Sequence, residues 1–183
     1  MNIKKGPWTV LDSKTIYKNP WITVKEDKVI RPDGKEGIVG TVEMLPGISV
    51  LPIDNEGNVY LTEEYHYAIE QETIEVISGG IENYETKESA AKRELKEEVG
   101  IVAGELIDLG IINPFTSLIT SPNYLYLARG LSFTNTSPEG TEKIKVIKVS
   151  MGEAIRMVSE SKITHGASVA LILKAKDYLS LND

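Results

Sequence analysis

The 183-residue sequence contains no cysteine. Disulfides, thiolate metal sites and thiol nucleophiles are therefore excluded, and the absence fits an intracellular, cytoplasmic chain. No apolar run approaches the ~18 residues that cross a bilayer as a helix, so no membrane span is expected. The opening stretch MNIKKGPWTV has two lysines without an apolar segment behind them, and no signal peptide is expected. Repeats, low-complexity tracts and long linkers are missing too. Positive charge is scarce: 20 Lys and Arg face 27 Asp and Glu, a formal net charge of −7. That average repels a nucleic-acid backbone, and no basic, aromatic-interleaved tract offsets it, so nucleic acid is not an expected partner. A small phosphorylated substrate needs a cation to meet so acidic a protein, which points to bound metal.

What remains suits one domain with a sizeable core and a small N-terminal subdomain. Residues 7–13 and 20–31 are rich in β-branched and aromatic types, Arg31-Pro32-Asp33-Gly34 is a turn signal, and the chain returns through 36–45. Ser49–Ile53 and Val59–Tyr65 flank Asp54-Asn55-Glu56-Gly57 and predict a second hairpin. Thr73–Ile77 predicts a short strand that ends at Gly79-Gly80. A helix is then expected from the N-cap Thr86 to a stop at Gly100, with Ala90, Ala91 and Leu95 at helical spacing. Strands follow at about 105–112, 124–129 and 142–149. Ser150-Met151-Gly152-Glu153 predicts a capping box that opens a helix to about Ser161, and a last helix covers about 167–180. Mixed strands with helices inserted late predict an α+β fold, an α/β/α sandwich, rather than a doubly wound sheet. The division expected is 1–45 for an N-terminal β subdomain and 46–183 for the main domain.

Chemistry concentrates in residues 79–101, GGIENYETKESAAKRELKEEVGI. Glu94, Glu97 and Glu98 stand at offsets 0, 3 and 4 on the predicted helix, which gathers three carboxylates on one face. Like charges at that spacing repel. On a surface helix alone they read as a solvated acidic face, but a hard divalent cation, Mg²⁺ or Mn²⁺, would relieve the repulsion through oxygen ligands. Arg93, four residues before Glu97, is placed to hold one carboxylate by a charge-assisted hydrogen bond. Gly79-Gly80 lets backbone approach the metal closely.

The spacing from Gly79 through Glu85, Arg93-Glu94-Leu95, Glu97-Glu98 and Gly100-Ile101 resembles the Nudix box, with every fixed position filled. The resemblance implies a Nudix-type α/β/α sandwich with a mixed sheet. It also implies Mg²⁺ or Mn²⁺ held by Glu94, Glu97, Glu98 and the main-chain carbonyl of Ser78, with Glu85 and Arg93 bracing the helix. Hydrolysis would proceed by attack of water on phosphorus without a covalent enzyme intermediate.

Outside the box the chain is similar to the ADP-ribose pyrophosphatase branch. Trp8-Thr9-Val10, Asn19-Pro20-Trp21-Ile22-Thr23-Val24, the Pro32-Asp33-Gly34 turn, Glu63-Glu64-Tyr65, Glu75 and Leu127-Ala128-Arg129-Gly130-Leu131 follow its pattern. This implies a homodimer through exchanged N-terminal strands, with an aromatic from them stacking on adenine. Trp21 stands at that position, and two readings of it remain: adenine contact, or core of a small subdomain. Where the branch commonly has a phosphate-gripping arginine, this chain has His66. That imidazole is read either as a phosphate donor or as satisfying a local hydrogen bond. Ile77-Ser78 replaces a Pro-Ala step, and Asn113-Pro114-Phe115-Thr116-Ser117 replaces a Ser-Pro-Gly loop.

Water attack needs a proton acceptor. Leu109–Pro138 contains no acid, and the next acids are Glu139 and Glu142. In the resembled branch a glutamate matching Glu142 often serves as base. Its other reading is a solvated strand-start residue, which leaves Glu97 as the fallback. The resulting expectation is a Mg-dependent hydrolase that cleaves ADP-ribose to AMP and ribose 5-phosphate. The alternatives are another nucleoside diphosphate sugar or dinucleotide (GDP-mannose, NADH) and a non-catalytic ADP-ribose sensor. A sensor usually loses box glutamates, and all are kept here. Isoprenoid diphosphate isomerisation usually recruits a cysteine, and there is none.

Overall fold

A computed structural model describes residues 3–136 and 144–182. In chain order the strands are β1 (Ile3–Lys5), β2 (Trp8–Lys18), β3 (Ile22–Ile30), β4 (Glu36–Met44), β5 (Gly47–Pro52), β6 (Asn58–His66), β7 (Gln71–Glu75) and β8 (Ile77–Gly80). Helix α1 (Lys87–Val99) is followed by β9 (Ile101–Ile112), β10 (Ile119–Thr120), β11 (Asn123–Phe133), β12 (Lys145–Ser150), α2 (Met151–Ser159) and α3 (Gly166–Asn182).

The chain forms two compact units. The first holds residues up to Leu45 together with Asn113–Ser121. Its sheet runs β1-β2-β3-β4-β10, antiparallel except for the last pair. The β3–β4 turn closes where expected: Gly34 N–H donates to the Arg31 carbonyl at 2.9 Å, and Lys35 N–H to Asp33 Oδ1 at 3.1 Å. Segment 113–121, read from sequence with the main domain, packs with this unit instead. Ile119 aligns with Val42 in parallel register, and Val42 N–H donates to the Leu118 carbonyl at 2.9 Å.

The second unit holds Pro46–Ile112 and the described residues from Pro122 onward. Its larger sheet has the order β8-β5-β11-β9, with β11 parallel to β5 and antiparallel to β9. Strand alternation builds two cores from it. Ile48 and Val50 of β5 and Tyr126 and Ala128 of β11 join Ala90, Ala91, Leu95 and Val99 of α1. Leu51, Leu125 and Leu127 point the other way and join Ala154 and Met157 of α2 and Leu171, Ile172 and Ala175 of α3. The result is an α/β/α sandwich, as expected. Each fully buried Leu or Ile contributes ~1.5–3 kcal/mol. A second sheet, β12-β6-β7, extends the α2 and α3 side.

Three expectations are corrected. The hairpin across Asp54–Gly57 is reduced to a single bridge between Ile53 and Val59. Both edges of β5 are taken by β8 and β11, so β6 turns away and pairs with β7 and β12. The expected strand 73–77 is broken at Val76, whose N–H leaves the ladder and donates to Ser168 Oγ of α3 at 3.0 Å. The expected capping box of α2 forms by half. Glu153 N–H donates to Ser150 Oγ at 3.1 Å, but the Glu153 carboxylate pairs with Arg156, and the helix ends at Ser159 rather than Ser161.

Val76 and Ser168 are both buried, so losing the hydroxyl strands a backbone donor away from water. Ser168→Ala is expected to destabilise the protein by about 1–3 kcal/mol. The measurement is the urea unfolding midpoint, which should fall at an unchanged m-value.

Candidate active site

Local sequence makes α1 well defined. Thr86 Oγ1 accepts from Ser89 N–H at 3.1 Å, and Ser89 Oγ accepts from Thr86 N–H at 2.9 Å. At the other end Gly100 adopts φ +62°, and a Cβ there would lie 2.4 Å from the Thr134 carbonyl oxygen. The buried face of Ala90, Ala91, Leu95 and Val99 sets the helix on the sheet. The Tyr126 hydroxyl of β11 donates to Glu88 at 3.3 Å, and burial together with that carboxylate pushes the phenol up to about 12.

The opposite arc of α1 carries Arg93, Glu94, Glu97 and Glu98. Arg93 was expected to hold one carboxylate and holds three. Its Nε and Nη2 grip both oxygens of Glu85, at 3.0 and 3.1 Å. Nη1 donates to Glu94 at 2.7 Å and to Glu97 at 3.2 Å, and Nη2 also reaches the Gly80 carbonyl at 3.0 Å. The guanidinium holds the Glu85 carboxyl below its ordinary range, and the paired carboxylates raise Arg93 further. Gly79 is required by space: a Cβ on it would sit 1.8 Å from Glu94 Oε1. The Glu94 carboxylate thus lies directly on the backbone at the end of β8.

Beside this arc is a cavity of about 240 Å³ lined by Ser78, Gly79, Glu98, Glu64, Glu75 and His66, among others. The sequence-derived residues Ser78, Glu98 and His66 therefore share one space. Trp21 belongs to the first unit and is 70% exposed, which overturns its reading as a core residue. Its backbone N–H donates to Asn19 Oδ1 at 2.9 Å. Glu142 and Glu139, the acids weighed as base, lie outside the described residues.

Sequence reasoning missed one cluster in the cavity wall. Glu75 Oε1 meets His66 Nε2 at 3.0 Å and Thr73 Oγ1 at 2.6 Å, and Glu75 Oε2 meets His165 Nδ1 at 2.8 Å. His165 Nδ1 also lies 2.9 Å from Ser168 Oγ. These are the only two histidines in the chain. Burial pulls the Glu75 carboxyl upward, but the hydrogen bonds of His165 and Thr73 and the imidazole charges outweigh it, leaving it below the ordinary range. The resemblance had singled out His66 and Glu75; for His165 the scarcity of histidine was the one available signal, since it lies far from both in sequence.

Donor chemistry bears on the metal. Carboxylates, hydroxyls and backbone carbonyls without sulfur suit Mg²⁺ or Mn²⁺. Gly79 leaves room for the Glu94 carboxylate at the strand end where the Ser78 main chain lies. Among the described residues no three acidic or imidazole groups have closed to metal-binding separations. Arg93 holds Glu94 and Glu97 beside that strand end, so the oxygen donors that such a metal takes are gathered there.

Fold and site together define a class: a mixed-sheet α/β/α hydrolase built on a glutamate-rich helix that follows a glycine loop. Residues 44–161 match the NUDIX domain, and the chain belongs to the Nudix family and is a Nudix hydrolase. Residues 8–38 match the nucleoside diphosphate sugar hydrolase N-terminal domain. An ADP-ribose pyrophosphatase from Bacillus subtilis is 27% identical, covering 94% of this chain and 95% of its own. A methanol dehydrogenase activator from Bacillus methanolicus is 25% identical over 94% of this chain and 92% of its own. The solved structure of an ADP compounds hydrolase superposes with a TM-score of 0.85 at 20% identity, covering 98% of each chain, and so shares the fold.

Gly79→Ala tests the contact with Glu94. The added methyl should displace that carboxylate, weaken Mn²⁺ binding at least tenfold and lower turnover while the fold persists. Mn²⁺ titration by calorimetry beside a circular dichroism spectrum reads both effects.

Proposed function

We propose that this hydrolase uses Mg²⁺ or Mn²⁺ to cleave the diphosphate of ADP-ribose into AMP and ribose 5-phosphate. The observation that carries the reading is the arc of Glu94, Glu97 and Glu98, with Arg93 holding the first two, beside a cavity that Glu98 lines with other polar groups. The N-terminal match to nucleoside diphosphate sugar hydrolases and the relatives named ADP-ribose pyrophosphatase support the substrate class. The exposed Trp21 ring supports an aromatic contact for adenine.

In this mechanism Glu94, Glu97, Glu98 and the Ser78 carbonyl would hold the metal, which when bound would neutralise charge on the diphosphate and activate water. Arg93, itself gripped by Glu85, keeps the Glu94 and Glu97 carboxylates on one arc of the helix. Glu142 takes the proton from the attacking water, with Glu97 as the fallback. His66 contributes a donor to phosphate.

The protein works as a homodimer in this reading. Ile3, Ile16, Tyr17, Trp21 and Ile38 of the first unit are all more than half exposed in the single chain, and a second copy would cover them. Light scattering at micromolar concentration should give twice the chain mass, and a monomer would reject the dimer.

Turnover of ADP-ribose should vanish in excess EDTA and fall by orders of magnitude in Glu98→Gln at an unchanged unfolding midpoint. Full activity in EDTA would sink the metal-hydrolase reading. An inert ADP-ribose beside a cleaved GDP-mannose or NADH would move the substrate and keep the chemistry. Glu142→Gln should lose ~10²–10⁴-fold in kcat with little change in KM, while Glu139→Gln loses little. Steady-state kinetics on the two variants decide whether Glu97 must take the role.

A further inference from the structure

A buried hydroxyl costs stability unless it finds a partner. Among the described residues four are buried, those of Ser49, Thr62, Thr73 and Ser168, and all four meet one stretch, residues 75–78. Thr73 Oγ1 donates to Glu75 Oε1 at 2.6 Å, and Thr62 Oγ1 to the Glu75 carbonyl at 3.4 Å. Ser168 Oγ accepts from Val76 N–H at 3.0 Å. Ser78 Oγ donates to the Val76 carbonyl at 3.1 Å, and Ser49 Oγ lies 3.0 Å from Ser78 Oγ. Here the chain leaves the sheet of β7 and enters that of β8, and Val76 belongs to neither strand. Side-chain oxygens therefore satisfy the backbone groups of Val76 that no ladder uses. With Ile77 rather than a proline at this step, no ring restrains the backbone.

Strand register fixes which way Ser78 points. Ile81 N–H donates to the Pro46 carbonyl at 2.9 Å, one step beyond the pairing of Gly47 with Gly80, so 46 and 81 are a hydrogen-bonded pair. Bonded and unbonded pairs alternate along antiparallel strands. Ile48 is then bonded to Gly79 and Val50 to Ile77, and Ser49 with Ser78 is the unbonded pair between them. Side chains approach most closely at such pairs, while the N–H and C=O of Ser78 point away from β5. No strand lies on that side, because β8 ends its sheet. Gly80 has the same phase, and its outward carbonyl is met by Arg93 Nη2 at 3.0 Å. The open edge of β8 thus faces the box, and Ser78 presents its carbonyl along that edge. From the inner side Ser78 is held by its hydroxyl. That hydroxyl has one proton, which the Val76 carbonyl takes, so Ser49 is the donor in the serine pair. Ser49 is itself buried in a strand whose neighbours Ile48, Val50 and Leu51 are apolar.

We propose that Ser49 is a positioning residue of the metal site: through the Ser78 hydroxyl it keeps the Ser78 carbonyl turned towards the box. The proposal rests on the reading above in which that carbonyl is a metal ligand. A carbonyl follows the dihedrals on either side of its own peptide. On one side is Ser78, whose peptide groups take no part in the ladder, and on the other is Gly79, the residue type with the widest choice of dihedrals. The hydroxyl pair supplies the restraint that backbone bonding leaves out at this position. A ligand already in place loses less freedom when a cation binds, which raises affinity without a new contact to the ion. A hydroxyl in an otherwise apolar strand thus acts on metal affinity more than on the stability of the fold.

Ser49→Ala separates the two effects. Alanine suits the apolar strand, and Ser78 lines the cavity, where water can take the place of the lost donor. The urea unfolding midpoint should therefore move little. Mn²⁺ affinity, read from the electron paramagnetic resonance signal of the free ion, should fall about fivefold, the effect of one net hydrogen bond. Ser78→Ala should lose at least as much, and the double variant should match Ser78→Ala, because the serine pair is one contact. Wild-type Mn²⁺ affinity in Ser49→Ala overturns the proposal. So do losses that add in the double variant, and so does an affinity loss matched by a fall in the unfolding midpoint, which would make the hydroxyl structural. The titration needs no substrate. A protein that binds Mn²⁺ but leaves every nucleoside diphosphate intact would defeat the hydrolase reading and not the role of Ser49. A wild-type protein that binds no Mn²⁺ would defeat the metal reading and this proposal with it.

Discussion

The guanidinium of Arg93 is the contact on which the site depends. Glu94 and Glu97 on one helical arc repel each other, and Glu85 approaches from the preceding loop. A single planar fork with five donors meets all three carboxylates and the Gly80 carbonyl at 2.7–3.2 Å. A lysine, with one compact ammonium, would not match the bidentate grip on Glu85 while reaching the others. The loop between β8 and α1 is thereby tied to the helix, and the arc of carboxylates is held in an arrangement that a metal can take over.

The sandwich gives this contact a fixed platform. Burial of Ala90, Ala91, Leu95 and Val99 sets α1 on one face of β5 and β11, and the next residues along those strands bury into α2 and α3. Because side chains alternate, one sheet anchors both layers. The close approach of Glu94 to Gly79 follows from the same packing, since the Glu94 carboxylate can lie against the end of β8 only where no Cβ intervenes. The break at Val76 then lets α3 meet the strand ends through Ser168, which brings His165 to the cavity that the box residues also line.

The two sides of the cavity differ in chemistry. Oxygen donors of the box suit a hard cation, whereas Glu75 is already saturated by imidazoles and a hydroxyl and serves to orient them.

The amino-acid sequence determined the parts whose causes are local. The box spacing put Arg93, Glu94, Glu97 and Glu98 on one arc, and Thr86 and Gly100 closed the helix where capping chemistry requires. The β-branched runs and the Pro32-Asp33-Gly34 turn marked the N-terminal strands. Residues far apart in the chain were decided by tertiary structure. Ser49–Ile53 and Val59–Tyr65 read as a hairpin because a turn joins them, but β5 had two other partners and β6 joined a different sheet. Segment 113–121 carried no sign that it would pair beside Val42. Trp21 is equally apolar in a core and on a surface, so its exposure could not be read from its neighbours. His165 sits far in sequence from His66 and Glu75, and the three meet only because β6, β7 and α3 converge. Local patterns extend over a turn of helix or one hairpin. Which strand edges remain open, and which helix end meets which strand, depends on all the packing at once.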